Sequence, residues 1–230
     1  EDPKDLIGFH LSNSNAATLI RQKRYDKAKS LCHELLSQRP DYHGVYTYLS
    51  TIAFAEDDEE AAEMYTLKSL ELNAGQIGLH NSLAKMLAEQ GRYDEAIWHF
   101  TESVRLNPNQ VGPRFALGTI FEQRGQLDEA VKCYADGLKI NPRSAEAHNN
   151  LGSVLARQAK YEKAFEHCTR ALEINPNLAE AYYNLGNIMF QQGEFGEAIA
   201  QYEKALLLRP DWEQARMNLM IAKTRKQQQW

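Results

Sequence analysis

Cysteine is scarce in this chain. Cys32, Cys133 and Cys168 are the three in 230 residues. An odd count with no short-range couple excludes a disulfide framework. Reduced, packed thiols are expected, and with them a cytoplasmic setting; a periplasmic protein or the soluble domain of a membrane protein is the alternative. No apolar run approaches the roughly 20 residues needed to cross a bilayer, so direct membrane insertion is not expected. Excess positive charge is missing too: the net charge is -5 and the pI about 5.8. That argues against nucleic acid, whose phosphates require a basic stripe. There is no glycine-rich phosphate loop, no nucleophile elbow and no HExxH. The chain therefore reads as a non-enzyme with no cofactor. The opening Glu1-Asp2-Pro3-Lys4 has neither an initiating Met nor a signal-peptide core, which suggests a piece of a longer protein.

Proline is also sparse, and its placement is informative. Of seven prolines, Pro40, Pro108, Pro142, Pro176 and Pro210 lie on one 34-residue grid, with Ala74 in the remaining slot. A fixed period of this length means stacked copies of one small unit. The units run 9–42, 43–76, 77–110, 111–144, 145–178 and 179–212, after a leader of residues 1–8. The eighth residue is always small: Ala16, Ser50, Ala84, Gly118, Gly152 and Gly186. The twentieth is always alanine: Ala28, Ala62, Ala96, Ala130, Ala164 and Ala198. Small residues at these places let two helix backbones approach closely, with larger apolar residues around them at helical spacing. Gly91, Gly125 and Gly193 fall midway, where a first helix stops on a left-handed residue. Asp26, Glu60, Asp94, Asp128 and Glu162 follow, placing carboxylates at the positive end of a second helix. Asn73, Asn107, Asn141 and Asn175 end that helix and are expected to take the left-handed stop. The acidic run Asp57–Glu60 reads as a solvated helix start; it lacks the glycine and the final glutamate of a calcium loop.

The segments NLGSVLARQAKYEKAFEHCTRALEINP (150–176) and NLGNIMFQQGEFGEAIAQYEKALLLRP (184–210) resemble the tetratricopeptide repeat. The resemblance covers 9–212. It implies an all-α fold, a right-handed α–α superhelix, with residues 213–230 as a capping helix in which Leu219 and Ile221 pack on the preceding unit and the end frays toward Trp230. The chain departs from the family at its fourth position, where Ser12, His80, Arg114 and His148 replace an aromatic, and at Asn15, where the other units have leucine. The first unit is therefore expected to be the weakest.

In this family the first helices line an inner wall that commonly holds extended peptides. Carried over position by position, the wall includes Asn81 and Lys85, then Phe115, then Asn149, Asn150, Ser153 and Arg157, then Tyr183, Asn184, Asn187 and Gln191, and finally Asn218. Asn150, Asn184 and Asn218 fall 34 apart and form an amide ladder. The array of the O-linked N-acetylglucosamine transferase is similar, with asparagines in the same register. A carboxamide offers both a donor and an acceptor, so such a ladder suits a peptide backbone; alternatively, these asparagines cap or bridge neighbouring helices. Phe115 is either a groove residue or a support for the core. The slots of a chaperone-type carboxylate clamp hold Asn13, Ala17, Tyr48, Gly78 and Ser82, so binding to that acidic C-terminus is not expected.

His99, Cys133 and His167 share one place in successive units. Equivalent residues on stacked helices stand about 8–10 Å apart, too far for common metal ligation, and outer-helix packing is expected instead. The expected function is a non-catalytic scaffold holding an extended or helical partner segment. The alternative is the recruiting or regulatory arm of a larger enzyme such as a glycosyltransferase. A monomer is favoured over self-association through the first unit or through the last helix with Met217 and Met220.

Overall fold

Small residues opposite large ones decide how the helices pair. The computed structural model describes residues 3–228, and the described residues form thirteen α-helices and no strand. They fall into two units. The first, Glu1–Pro108, contains α1 (Pro3–Arg21), α2 (Tyr25–Gln38), α3 (His43–Ala55), α4 (Glu59–Leu72), α5 (Ile77–Glu89) and α6 (Tyr93–Leu106). The second, Asn109–Trp230, contains α7 (Gly112–Gln123), α8 (Leu127–Ile140), α9 (Ala145–Arg157), α10 (Tyr161–Ile174), α11 (Ala179–Gln191), α12 (Phe195–Leu208) and α13 (Glu213–Gln227). Within each unit, successive helices pack as hairpins, and each hairpin leans on the next. Helix α1 begins at Pro3, so the expected leader is not a separate segment; most of it is the first turns of α1. Trp230 lies outside the described residues.

The six alanines at the twentieth position are fully buried. In four of the hairpins the small residue at the eighth position is seen to face the twenty-fourth. A Cβ on Gly118 would stand 2.7 Å from the Tyr134 ring, and one on Gly186 would stand 2.6 Å from that of Tyr202. Gly152 meets the Cys168 sulfur in the same way at 2.5 Å. In the first unit Ser50 and Thr66 share a buried hydroxyl hydrogen bond of 2.6 Å. The volume missing on one helix is filled from the other, as close packing requires.

All six turns inside the hairpins use a left-handed residue. Gly91, Gly125 and Gly193 have φ of 77°, 73° and 81°, and Lys23, Asp57 and Ala159 adopt 56° to 57° at the equivalent places. Asp58 then caps α4, its carboxylate accepting from the Ala61 amide at 3.1 Å. The asparagines at the ends of the second helices behave differently from expectation. Asn73, Asn107, Asn141 and Asn175 are extended, with φ between -123° and -151°. A following proline disfavours helical backbone in the residue before it, which accounts for three of them. The side chains of Asn73, Asn141 and Asn175 instead accept the amide two residues on, at 3.1, 3.3 and 3.1 Å. The side chain thus makes the turn that was expected of the backbone.

Helix α13 buries Ala215 and Ala222, and Leu219 packs beside Tyr202 and Ala222. Ile221 does not pack as expected: it remains 47% exposed, with Met217 and Met220 also out. No described helix is long and apolar enough to cross a membrane.

Candidate functional site

In the second unit α11 contacts α9 on one side and α13 on the other, so the three first helices can share one face. The predicted residues Asn149, Asn150, Ser153, Arg157, Tyr183, Asn184, Asn187, Gln191 and Asn218 all lie on these three helices. Asn149 is buried, Arg157 and Gln191 are exposed, and the others are half-buried. The structure joins several of them directly. The Asn184 amide donates to Asn149 Oδ1 at 2.9 Å, tying α11 to α9. Asn149 in turn donates to Asn150 Oδ1 at 3.4 Å. The Asn218 amide donates to Tyr183 Oη and to Asn187 Oδ1, both at 3.0 Å, tying α13 to α11. Asn184 and Asn218 therefore bridge neighbouring helices through their donors.

Two tyrosines from the second helices reach this face from behind, and sequence reasoning did not include them. The Tyr202 hydroxyl, on α12, donates to Asn187 Oδ1 at 2.8 Å. Tyr134, on α8, lies 3.1 Å from Thr119 Oγ1, donates to Glu122 at 3.2 Å and has Asn150 as a further partner. Burial pushes the Tyr134 phenol up to about 12 and raises that of Tyr202 further, so both stay protonated. Arg157 reaches Glu122 at 3.4 Å. Trp212, also missed, lies tilted against Tyr183 with ring centroids 4.6 Å apart. The signal that could have found the tyrosines is the glycine at the eighth position, which marks where a large ring crosses from the second helix.

Between α11 and α13, with α12 as floor, lies a cavity of about 190 Å³ lined by Asn187, Phe190, Gln191, Tyr202, Asn218 and Ile221. None of these side chains is charged. Phe115 is committed elsewhere: its ring lies where a Cβ on Gly137 would stand, 2.2 Å away. It supports the α7–α8 hairpin. In the first unit Asn81 is half-buried on α5 and Lys85 is exposed, 3.8 Å from Glu89. Lys85 lines a cleft of about 350 Å³ with Phe54, Asp57, Asp58, Ser82 and Glu89 among others.

The histidines do more than fill space. His80 and His99 place their Nδ1 atoms 2.9 Å apart, and so do His148 and His167. Each histidine's partner lies within the same hairpin, at the fourth position, and not in the successive unit. His80 Nε2 faces the Ala74 carbonyl at 3.1 Å and His148 Nε2 faces that of Pro142 at 3.3 Å. Those nitrogens must carry the proton, which leaves the Nδ1 of His80 and of His148 to accept from His99 and His167. Burial, then the neighbouring His80, lowers His99 to about 4; burial also lowers His148 and His167. Among the described residues no three or more metal-capable side chains converge.

Three family models match the chain: "Tetratricopeptide repeat" over 143–211, "TPR repeat" over 118–159 and "Tetratricopeptide repeat" over 77–110. No curated protein matches. Among solved structures, YrrB, titled a TPR protein with an unusual peptide-binding site, is 20% identical with a TM-score of 0.72, covering 84% of this chain and 97% of its own. MamA is 21% identical with a TM-score of 0.68, covering 74% and 95%. The APC/C hetero-tetramer Cut9–Hcn1 gives 14% identity and a TM-score of 0.63 over 93% of this chain and 42% of that one. Repeats in exact register, hairpins closed by a small residue against a large one, and three matching models that together span more than half the sequence place this chain in the tetratricopeptide repeat family.

Proposed function

We propose that this protein is a non-catalytic interaction scaffold and that the face formed by α9, α11 and α13 holds an extended segment of a partner protein. The observation that carries this is the concentration of carboxamides there with capacity to spare. Asn184 spends a donor on Asn149 and keeps its Oδ1; Asn187 spends its Oδ1 and keeps its amide hydrogens. Unspent amide groups of both polarities match the alternating C=O and N–H of an extended backbone. YrrB, with a similar fold, is titled as having a peptide-binding site, which supports a ligand of this class. A second reading is an arm that recruits substrates for a larger enzyme such as a glycosyltransferase; the Cut9–Hcn1 match shows only that a similar array can form 42% of a longer chain.

Panning a random-peptide phage library on the immobilised chain tests the first reading. Selected peptides should bind the wild type and lose roughly tenfold or more, about 1.4 kcal/mol, on the Asn150→Ala, Asn184→Ala, Asn218→Ala variant, with a thermal melt confirming that the variant is folded. Equal binding by the folded variant would remove this face from the proposal. A synthetic peptide ending in Glu-Glu-Val-Asp should show no micromolar binding.

A further inference from the structure

The cavity between α11 and α13 has a specific hydrogen-bond polarity. Asn187 Oδ1 receives two donors, the Tyr202 hydroxyl at 2.8 Å and the Asn218 amide at 3.0 Å. The other Asn218 N–H is taken by Tyr183 Oη at 3.0 Å. Gln214 Nε2 donates to Asn218 Oδ1 at 3.4 Å, which turns the Asn218 amide hydrogens toward Tyr183 and Asn187. Turning Asn187 over would then set donor against donor, so the network favours this Asn187 orientation. Its Nδ2, with two hydrogens unspent, is left for the half-enclosed space that Asn187 lines with Phe190, Gln191, Tyr202, Asn218 and Ile221. Tyr202 is 1% exposed, so the group that fixes this polarity is itself immobile. The rest of the lining is the Phe190 ring, the Tyr202 ring and the Ile221 side chain. With no ion in the wall, a charged side chain entering would lose water and gain no counter-charge.

We infer that this cavity is a subsite selecting an uncharged aliphatic side chain of a bound polypeptide, with Asn187 Nδ2 donating to the backbone carbonyl beside that side chain. The inference rests on the peptide-holding reading and adds what the subsite prefers. The amide ladder proper does not supply this donor, since the two Asn218 hydrogens are already engaged. The donor comes from a residue one turn further on, turned outward by a phenol of the second helix.

The probe is N-acetyl-leucine N′-methylamide, titrated into the full chain labelled with ¹⁵N, with the N-acetyl-glutamate analogue as comparison. Saturable shifts of the Asn187 and Asn218 side-chain amide signals are expected, with the glutamate analogue at least roughly tenfold weaker. Asn187→Asp keeps an acceptor for Tyr202 and Asn218 but replaces the outward donors with an oxygen; it should lose about tenfold or more in probe affinity. If that variant does not fold, Ile221→Glu, at a 47% exposed position, should give the same loss. Absence of saturable shifts, equal affinity for the glutamate analogue, or undiminished binding by the folded variant would each overturn the inference. Phage-selected peptides separate the two levels. If they bind wild type and Asn187→Asp alike yet fail on the triple alanine variant, the subsite is wrong and the peptide-holding face stands.

Discussion

Ala159 holds a conformation that its own side chain disfavours. It holds φ of 57° where three other hairpins place glycine, and a left-handed L-residue costs about 1–2 kcal/mol. Ala159→Gly relieves that strain and gives back part of it as unfolded-chain entropy, so a net gain of about 0.5–1 kcal/mol and a higher melting temperature are expected. Asp57→Gly should gain less, because aspartate tolerates this region; equal gains would show that strain is not the cause. The histidines give a pH prediction. His99 has a folded pKa of about 4, below the usual value of about 6.5. The unfolded chain takes up the proton first, so the stabilising contribution is complete above about pH 6.5 and declines as the pH falls toward 4. His148 and His167, lowered by burial, act with the same sign. Glu63, Glu95 and Glu102 oppose the depression of His99. Melts between pH 7.5 and 4.5 should show a falling midpoint, and His99→Gln should flatten that dependence. Cys168 is fully buried, its thiol pushed up to about 12; it should resist alkylation in the native state and react once denatured.

The helical hairpin is the element on which sequence and structure agree most. Registers of small residues and alanines are legible because a close backbone approach leaves no other choice of side chain, and repetition reveals them. Their consequence is testable. Gly186→Ala puts a methyl 2.6 Å from the Tyr202 ring and should cost about 1–3 kcal/mol. Combining it with Tyr202→Cys reproduces the Ala16–Cys32 couple found in the first hairpin, and in a chemical-denaturation cycle the pair should cost less than the sum of the singles. What stayed illegible had a physical reason. The helix-ending asparagines were expected in the left-handed region, but the proline that marks them also pushes the preceding backbone to extended. The histidine pairs were hidden because partners 19 residues apart meet across a hairpin, whereas the 34-residue period draws attention to neighbours in the next unit.

Across the whole chain, the period made the fold class readable while the wall chemistry was only partly so. Nine of the proposed residues lie on α9, α11 and α13, yet which of their atoms are spent depended on phenols contributed by α8 and α12. In the first unit, Asn15 is exposed, and Phe9 is buried against Tyr42, with centroids 5.1 Å apart, under the Arg39 guanidinium. The expected weakness of the first hairpin thus does not come from a buried asparagine. Hydrogen exchange should rank the hairpins, with Ala130→Leu, at a fully buried position, speeding exchange in α7–α9 above all. The phenol of Tyr202 carries one last implication. Because a side chain rooted on the opposite helix decides how Asn187 is oriented, ligand preference could be rewritten from the second helix without touching the first-helix residues of the wall. Divergence among such arrays would then be recorded in the supporting layer as much as in the contacting one, and a comparison confined to contact positions would overlook it.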